Sequence, residues 1–169
     1  MPQAVLIGAP GSGKSSVGKA LAKELATSFI DTDNVIESVA NSSISQIFAD
    51  HGEAYFREIE EEVVLGVLNC EPGVVALGGG SILSTKVQEL LKNSSFLVIY
   101  LQVSSHQAIA RVSKHGHRPL LVGNPEENWK KLVADRSAIY SELSSLTFST
   151  DSQKPADIAH QIALEITRR

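Results

Sequence analysis

Eight residues near the start of the chain, Gly8-Ala9-Pro10-Gly11-Ser12-Gly13-Lys14-Ser15, restrict its possible folds more than any other feature. They match the pattern of glycine, four residues, glycine, lysine and a hydroxyl residue that forms a phosphate-binding P-loop. The glycines let the backbone wrap around an oxyanion with its N–H groups pointing inward. A helix that starts where the loop ends adds its unpaired N–H groups and the positive end of its dipole. Lys14 would reach the β- and γ-phosphates of a nucleotide, and the Ser15 hydroxyl would bind Mg²⁺. The motif has meaning only between a strand and a helix, and both are present: an apolar run at 4–7 precedes it and a helical pattern at 14–25 follows. Gly11, Ser12, Gly13, Lys14, Ser15 and Ser16 are therefore the candidate phosphate-binding residues.

The rest of the chain agrees with a strand-loop-helix opening. Short apolar runs at 28–30, 74–77, 96–101 and 146–149 read as further strands, separated by helical patterns at 45–50, 54–68, 85–91, 105–112, 125–143 and 156–168. Such alternation predicts an α/β fold around a parallel sheet. In the 54–68 segment Phe56, Ile59, Val63 and Val67 recur at steps of three and four, which predicts one core-facing stripe. Ser43 followed by Gln46 predicts a capping box for the helix containing Ile47 and Phe48. At 169 residues, 43% hydrophobic and 20% charged, the chain has the size and balance of one soluble globular domain.

A net charge of −4 argues against sequence-independent nucleic-acid binding, which wants a broad excess of Lys and Arg. Met1-Pro2-Gln3-Ala4 lacks a basic segment leading into an apolar one, so no signal peptide is expected, and no apolar run approaches a membrane span. Cytoplasmic location and a monomer are the expectations. The single cysteine, Cys70, has no partner for a disulfide or zinc knuckle, and is expected to be a half-buried thiol at the end of a helix.

An acidic protein that handles phosphate must concentrate positive charge locally, and Arg111, Lys114, His115, His117 and Arg118 do so. They fall in and beside an aperiodic stretch at 113–124 containing Gly116, Pro119 and Gly123, read as a surface loop of the length used for lids. An arginine brought in by such a loop can stabilise charge on a transferring phosphoryl group. His115 and His117 have no third metal ligand nearby in sequence.

Three further clusters bear on what receives the phosphoryl group. Asp31-Thr32-Asp33 follows a strand run; extended backbone would point both carboxylates to one site, for a Mg²⁺-bound water and for a substrate hydroxyl. An Asp-rich turn capping a helix from Asn34 explains the same residues. Arg57 with Glu60 and Glu61 at helical spacing is either a solvated ion pair or a guanidinium held ready for a carboxylate. Gly78-Gly79-Gly80 after the 74–77 strand allows close approach of a ligand or backbone, or is a flexible turn. Arg136, in a helix with Trp129 and Leu132, says little alone.

Taken together and in order, Gly8–Ser15, Asp31-Thr32-Asp33, Phe56-Arg57-x-x-Glu60, Gly78-Gly79-Gly80, Arg118-Pro119-Leu120-Leu121, Arg136 with Tyr140, and Pro155 resemble the shikimate kinase family over nearly the whole chain. The resemblance implies a nucleoside monophosphate kinase-like three-layer sandwich with a five-stranded parallel sheet flanked by helices, in one kinase domain over 1–169. A substrate-binding region at about 31–61 and a lid at about 112–124 are implied with it. It further implies transfer of the γ-phosphoryl group of ATP, with Mg²⁺, to the 3-hydroxyl of shikimate on the route to chorismate and the aromatic amino acids. Asp33, Arg57, Gly78, Gly79, Gly80 and Arg136 would then meet shikimate, with Arg57 and Arg136 on its carboxylate, Asp33 on its hydroxyls and Glu60 holding Arg57. Ser15 and Asp31 would serve the metal, Lys14 and Arg118 the phosphates, and Arg111 with Pro155 the adenine. The chain departs from the family at Ala138, where proline is frequent, and in the lid histidines. A gluconate or nucleoside monophosphate kinase shares loop and lid but not the joint Asp31/Asp33, Arg57 and Arg136 set. A GTPase is disfavoured because no Asn-Lys-x-Asp motif occurs. A regulatory nucleotide-binding protein without activity would be expected to have lost Lys14, an acid or the lid arginine.

Overall fold

The computed structural model describes residues 1–114 and 123–168. Five strands, β1 (Pro2–Ile7), β2 (Phe29–Asp31), β3 (Gly73–Ala76), β4 (Leu97–Gln102) and β5 (Leu146–Ser149), form one parallel sheet in the order β2-β3-β1-β4-β5. Between them run α1 (Lys14–Glu24), α2 (Thr32–Ala40), α3 (Ile44–Cys70), α4 (Thr85–Asn93), α5 (Ser105–Lys114), α6 (Pro125–Leu143) and α7 (Pro155–Thr167), with a 3₁₀ turn at Ser81–Leu83.

Alternate strand residues leave the sheet on opposite faces, and each face is covered by helices. Val5, Ile7, Val75, Leu77, Val98 and Tyr100 pack with Val64 and Leu68 of α3, Val87 and Leu91 of α4, and Tyr140 and Leu143 of α6. Ala4, Leu6, Val74, Ala76, Ile99 and Leu101 pack with Val17 and Leu21 of α1 and Ile158 and Ile162 of α7. Burial on both faces explains why the central strands are unbroken apolar runs rather than alternating ones. The three-layer sandwich expected from the sequence is the one observed. β1 lies between β3 and β4, where the strand order reverses, and ligands of open α/β sheets bind beyond the strand ends at such a point.

Four expectations change at the level of elements. The acid pair is not in extended backbone: β2 ends at Asp31, and Asp33 already lies in the first turn of α2. The core line of α3 runs through Phe56, Glu60, Val64, Val67 and Leu68, while Ile59 and Val63 are only partly buried beside it. A carboxylate sits on that line, which an apolar pattern cannot register. Ser43 does cap α3, accepting from the Gln46 N–H at 3.1 Å, while the bond shown for the Gln46 side chain runs forward from its Nε2 to Asp50 rather than back to Ser43. Cys70 is exposed at the helix end rather than half-buried.

Candidate functional site

The turn after β1 is shaped by two glycines with left-handed backbone. Gly11 has φ of 81°, and a Cβ there would lie 2.7 Å from the Ala108 carbonyl of α5. Gly13, at φ of 88°, is the N-cap of α1 and supplies no side-chain bond to it, so the first N–H groups of α1 keep their capacity for an anion. Lys14 folds back over the loop, its Nζ donating to the carbonyls of Gly8 at 2.8 Å and Ala9 at 3.1 Å. Ser15 Oγ donates to Asp31 Oδ2 at 2.6 Å, and Asp31 Oδ1 accepts the Asp33 N–H at 3.1 Å. Asp31 thus caps α2, as the turn reading of the acid pair expects, and also reaches across to the hydroxyl beside the loop.

Thr32, between the two acids, is fully buried and its Oγ1 accepts the Gly78 N–H at 3.0 Å. This bond joins β2 and α2 to the glycine run after β3. A Cβ on Gly78 would lie 2.5 Å from Asp33 Oδ1 and 2.8 Å from Glu60 Oε1, so the bare glycine lets the two carboxylates close in. Glu60 is buried; its Oε2 accepts from Arg57 Nη1, and its Oε1 accepts from Ser81 Oγ at 2.9 Å. Arg57 also donates to Glu53 at 3.3 Å and stands over the Phe56 ring, 5.2 Å from its centroid. Its Nε is buried without a partner among the described residues. A Cβ on Gly80 would lie 2.2 Å from the Arg57 guanidinium, so a side chain there would displace the arginine from its present place. Opposite, Arg136 on α6 is buried and donates to the Gly79 carbonyl at 3.0 Å.

These groups share one cleft of about 900 Å³. Its wall includes Gly11, Gly13, Lys14, Ser15, Ser16, Asp31, Asp33, Arg57, Glu60, Gly79, Gly80, Arg111, Arg136 and Pro155. Two candidates stand behind the wall: Gly78, and Ser12, whose fully buried hydroxyl has no partner among the described residues. Arg118, His115 and His117, with most of the expected lid, lie outside the described residues. Among the described residues no three His, Cys, Asp or Glu side chains gather as a metal cluster.

Two features were not anticipated. Trp129 of α6 is buried against Ala9 and Ala108, and its Nε1 donates to the Pro10 carbonyl at 2.8 Å. Arg111 of α5 donates to the adjacent Gly11 carbonyl at 3.2 Å and to Thr150 Oγ1 and O at 2.9 and 2.7 Å. The phosphate loop is thus gripped from outside through two successive carbonyls. A lone tryptophan in an amphipathic helix gives no sign in sequence of which carbonyl it will meet. Phe48 and Phe56, with ring centroids 4.7 Å apart, form an apolar side to the Arg57 end of the cleft, and only their place in the core pattern hinted at it.

A family model described as shikimate kinase matches residues 10–167. A shikimate kinase of Thermobifida fusca (strain YX) is 46% identical over 165 residues, which cover 98% of this chain and 95% of that protein. The solved structure of shikimate kinase from Acinetobacter baumannii in complex with shikimate matches with a TM-score of 0.92 at 32% identity, covering 99% of this chain and 94% of the other. A deoxyadenosine kinase from M. mycoides, 20% identical, matches over 100% of both chains with a TM-score of 0.67, a likeness of fold alone.

Proposed function

The chain belongs to the shikimate kinase family and is an ATP-dependent kinase acting on shikimate, and on that premise we propose how its cleft divides the reaction. The γ-phosphoryl group of ATP passes to the 3-hydroxyl of shikimate, giving shikimate 3-phosphate and ADP, in the supply of chorismate. Phosphoryl transfer asks the protein chiefly for positioning and charge neutralisation, so each end of the cleft is assigned by the charge it presents.

At the phosphate end, Gly11, Ser12, Gly13 and Ser16 shape and flank the cradle, and Lys14 exchanges the Gly8 and Ala9 carbonyls for β- and γ-phosphate oxygens. Arg118 neutralises the transferring group, while Arg111 and Pro155 flank the adenine. Ser15 Oγ and Asp31 Oδ2, 2.6 Å apart, are hard oxygen donors beside that cradle and fit Mg²⁺, which takes few protein ligands and completes its shell with water and phosphate. Once bound, the ion supplies charge neutralisation across the β- and γ-phosphates.

At the other end, Arg57 and Arg136 take the substrate carboxylate, with Gly79 and Gly80 allowing its close approach and Gly78 letting Asp33 and Glu60 draw together behind. Asp33 accepts hydrogen bonds from ring hydroxyls and orients the attacking one. The observation that carries this assignment is the pairing of Arg57 with the buried Glu60 at the Gly80 surface, where Arg57 Nε still lacks an acceptor among the described residues. Buried donors without partners are rare, and a ligand oxygen is a ready explanation for one in a cleft.

The same reading takes residues 1–169 as one kinase domain with a substrate-binding region at about 31–61 and a lid at about 112–124. It takes the enzyme as a cytoplasmic monomer that engages neither nucleic acid nor membrane. In support, no helix of the described residues is long and apolar enough to cross a membrane. The test is ADP release from ATP and Mg²⁺ with shikimate, gluconate or AMP as acceptor. Release with shikimate alone is expected. Release with gluconate or AMP instead would overturn the acceptor assignment, and none with any acceptor would favour a regulatory nucleotide-binding role.

A further inference from the structure

Two donors from α6 converge on the Gly79 carbonyl: Arg136 Nη1 and, one turn later, the Tyr140 hydroxyl. Arg136 lines the cleft, whereas Tyr140 is fully buried behind it, stacked on Tyr100 with ring centroids 5.0 Å apart. Burial pushes the Tyr140 hydroxyl up to about 12, so it remains a donor at any working pH. A planar trans peptide directs its carbonyl and the following N–H to opposite sides, and no peptide bond among the described residues is cis. Fixing the Gly79 carbonyl against α6 therefore turns the Gly80 N–H away from α6. Gly79 and Gly80 both form the cleft wall, and Gly80 lies directly against the Arg57 guanidinium. Among the described residues the Gly80 N–H has no acceptor.

We propose that Tyr140 is a positioning residue for the acceptor: by holding the Gly79 carbonyl beside Arg136, it presents the Gly80 N–H as a donor to the substrate carboxylate. This rests on reading the Arg57 end of the cleft as the carboxylate site. A side chain that only filled the core would affect every substrate alike. One that acts through the Gly80 N–H affects only a substrate that uses that donor.

The test is steady-state kinetics of Tyr140→Phe, which keeps the ring and removes the hydroxyl. The shikimate KM is expected to rise about threefold to tenfold, the size of one neutral hydrogen bond, with kcat and the ATP KM unchanged. With an analogue carrying a methyl group in place of the carboxylate, which offers the Gly80 N–H no acceptor, variant and parent should agree. An unchanged shikimate KM, a loss confined to kcat, or an equal loss on the neutral analogue would each overturn the proposal. Arg57→Ala run alongside separates the two readings. If it too leaves shikimate kinetics unchanged, the carboxylate site itself is wrong; if it alone is impaired, only the role of Tyr140 fails. Should Tyr140→Phe not fold, the Gly80 amide resonance of the parent protein decides: a downfield shift on adding shikimate is expected, and no shift would overturn the proposal.

Discussion

Asp31, Arg57 and Tyr140 each do with one side chain what the sequence shows only in part. Asp31 caps α2 with one oxygen and reaches Ser15 with the other, so capping leaves its second oxygen available to the metal role proposed for it. The Arg57–Glu60 spacing was legible as a pair, but its burial was not, because burial depends on the glycine run and on Ser81, 21 residues beyond Glu60. The Trp129 contact is illegible in sequence for the same reason, since its acceptor, Pro10, lies 119 residues distant. Tyr140 carries a pH dependence of stability. Folded, it keeps its proton up to about pH 12, whereas a tyrosine in the unfolded chain loses it near 10. The folded state thus binds the proton more tightly, so this contribution is complete below about pH 10 and is lost as pH rises from there through 12. Tyr100, also raised by burial, acts in the same direction, so a comparison with Tyr140→Phe is needed to isolate Tyr140. Urea midpoints measured from pH 9 to 12 should fall more steeply for the parent than for the variant; parallel curves would contradict the shift.

At the scale of elements, the strands were readable because burial on both sheet faces makes them apolar runs, and α1 because the phosphate loop demands it. The division of 45–50 from 54–68 was also readable: α3 breaks at Gly52, with φ of 82° and ψ of 177°. The first turn of α2 was not, since a three-residue strand followed at once by a helix leaves no room for a visible change of period. The break in α3 yields a contrast between two glycines of one helix. A Cβ at either Gly52 or Gly66 would meet nothing within 4 Å, so only the backbone decides. Gly52→Ala forces a side chain into backbone of positive φ and ψ near 180°, a region almost confined to glycine, and should cost about 1–3 kcal/mol. Gly66→Ala, at an exposed helical position, should add about 0.5–1 kcal/mol. Denaturant unfolding of both variants checks this, and shifts of the same sign would contradict the break at Gly52.

At the scale of the whole molecule, the cleft beyond β1 has two chemically different ends and is built where the strand order reverses. Its proposed phosphate end was legible in eight consecutive residues. Its proposed acceptor end was legible only as an ordered set, because Asp33, Arg57, Gly79 and Arg136 come from α2, α3, the turn after β3 and α6 and meet only in the folded chain. If the two ends serve two ligands, damage at one should leave the other intact. Arg57→Ala tests this most directly. Loss of a charge-assisted contact, roughly 1.5–3 kcal/mol, should raise the shikimate KM about tenfold to 150-fold while the ATP KM stays near that of the parent. Shikimate kinetics like the parent's, or an equal loss for ATP, would contradict the assignment of the Arg57 end to the acceptor.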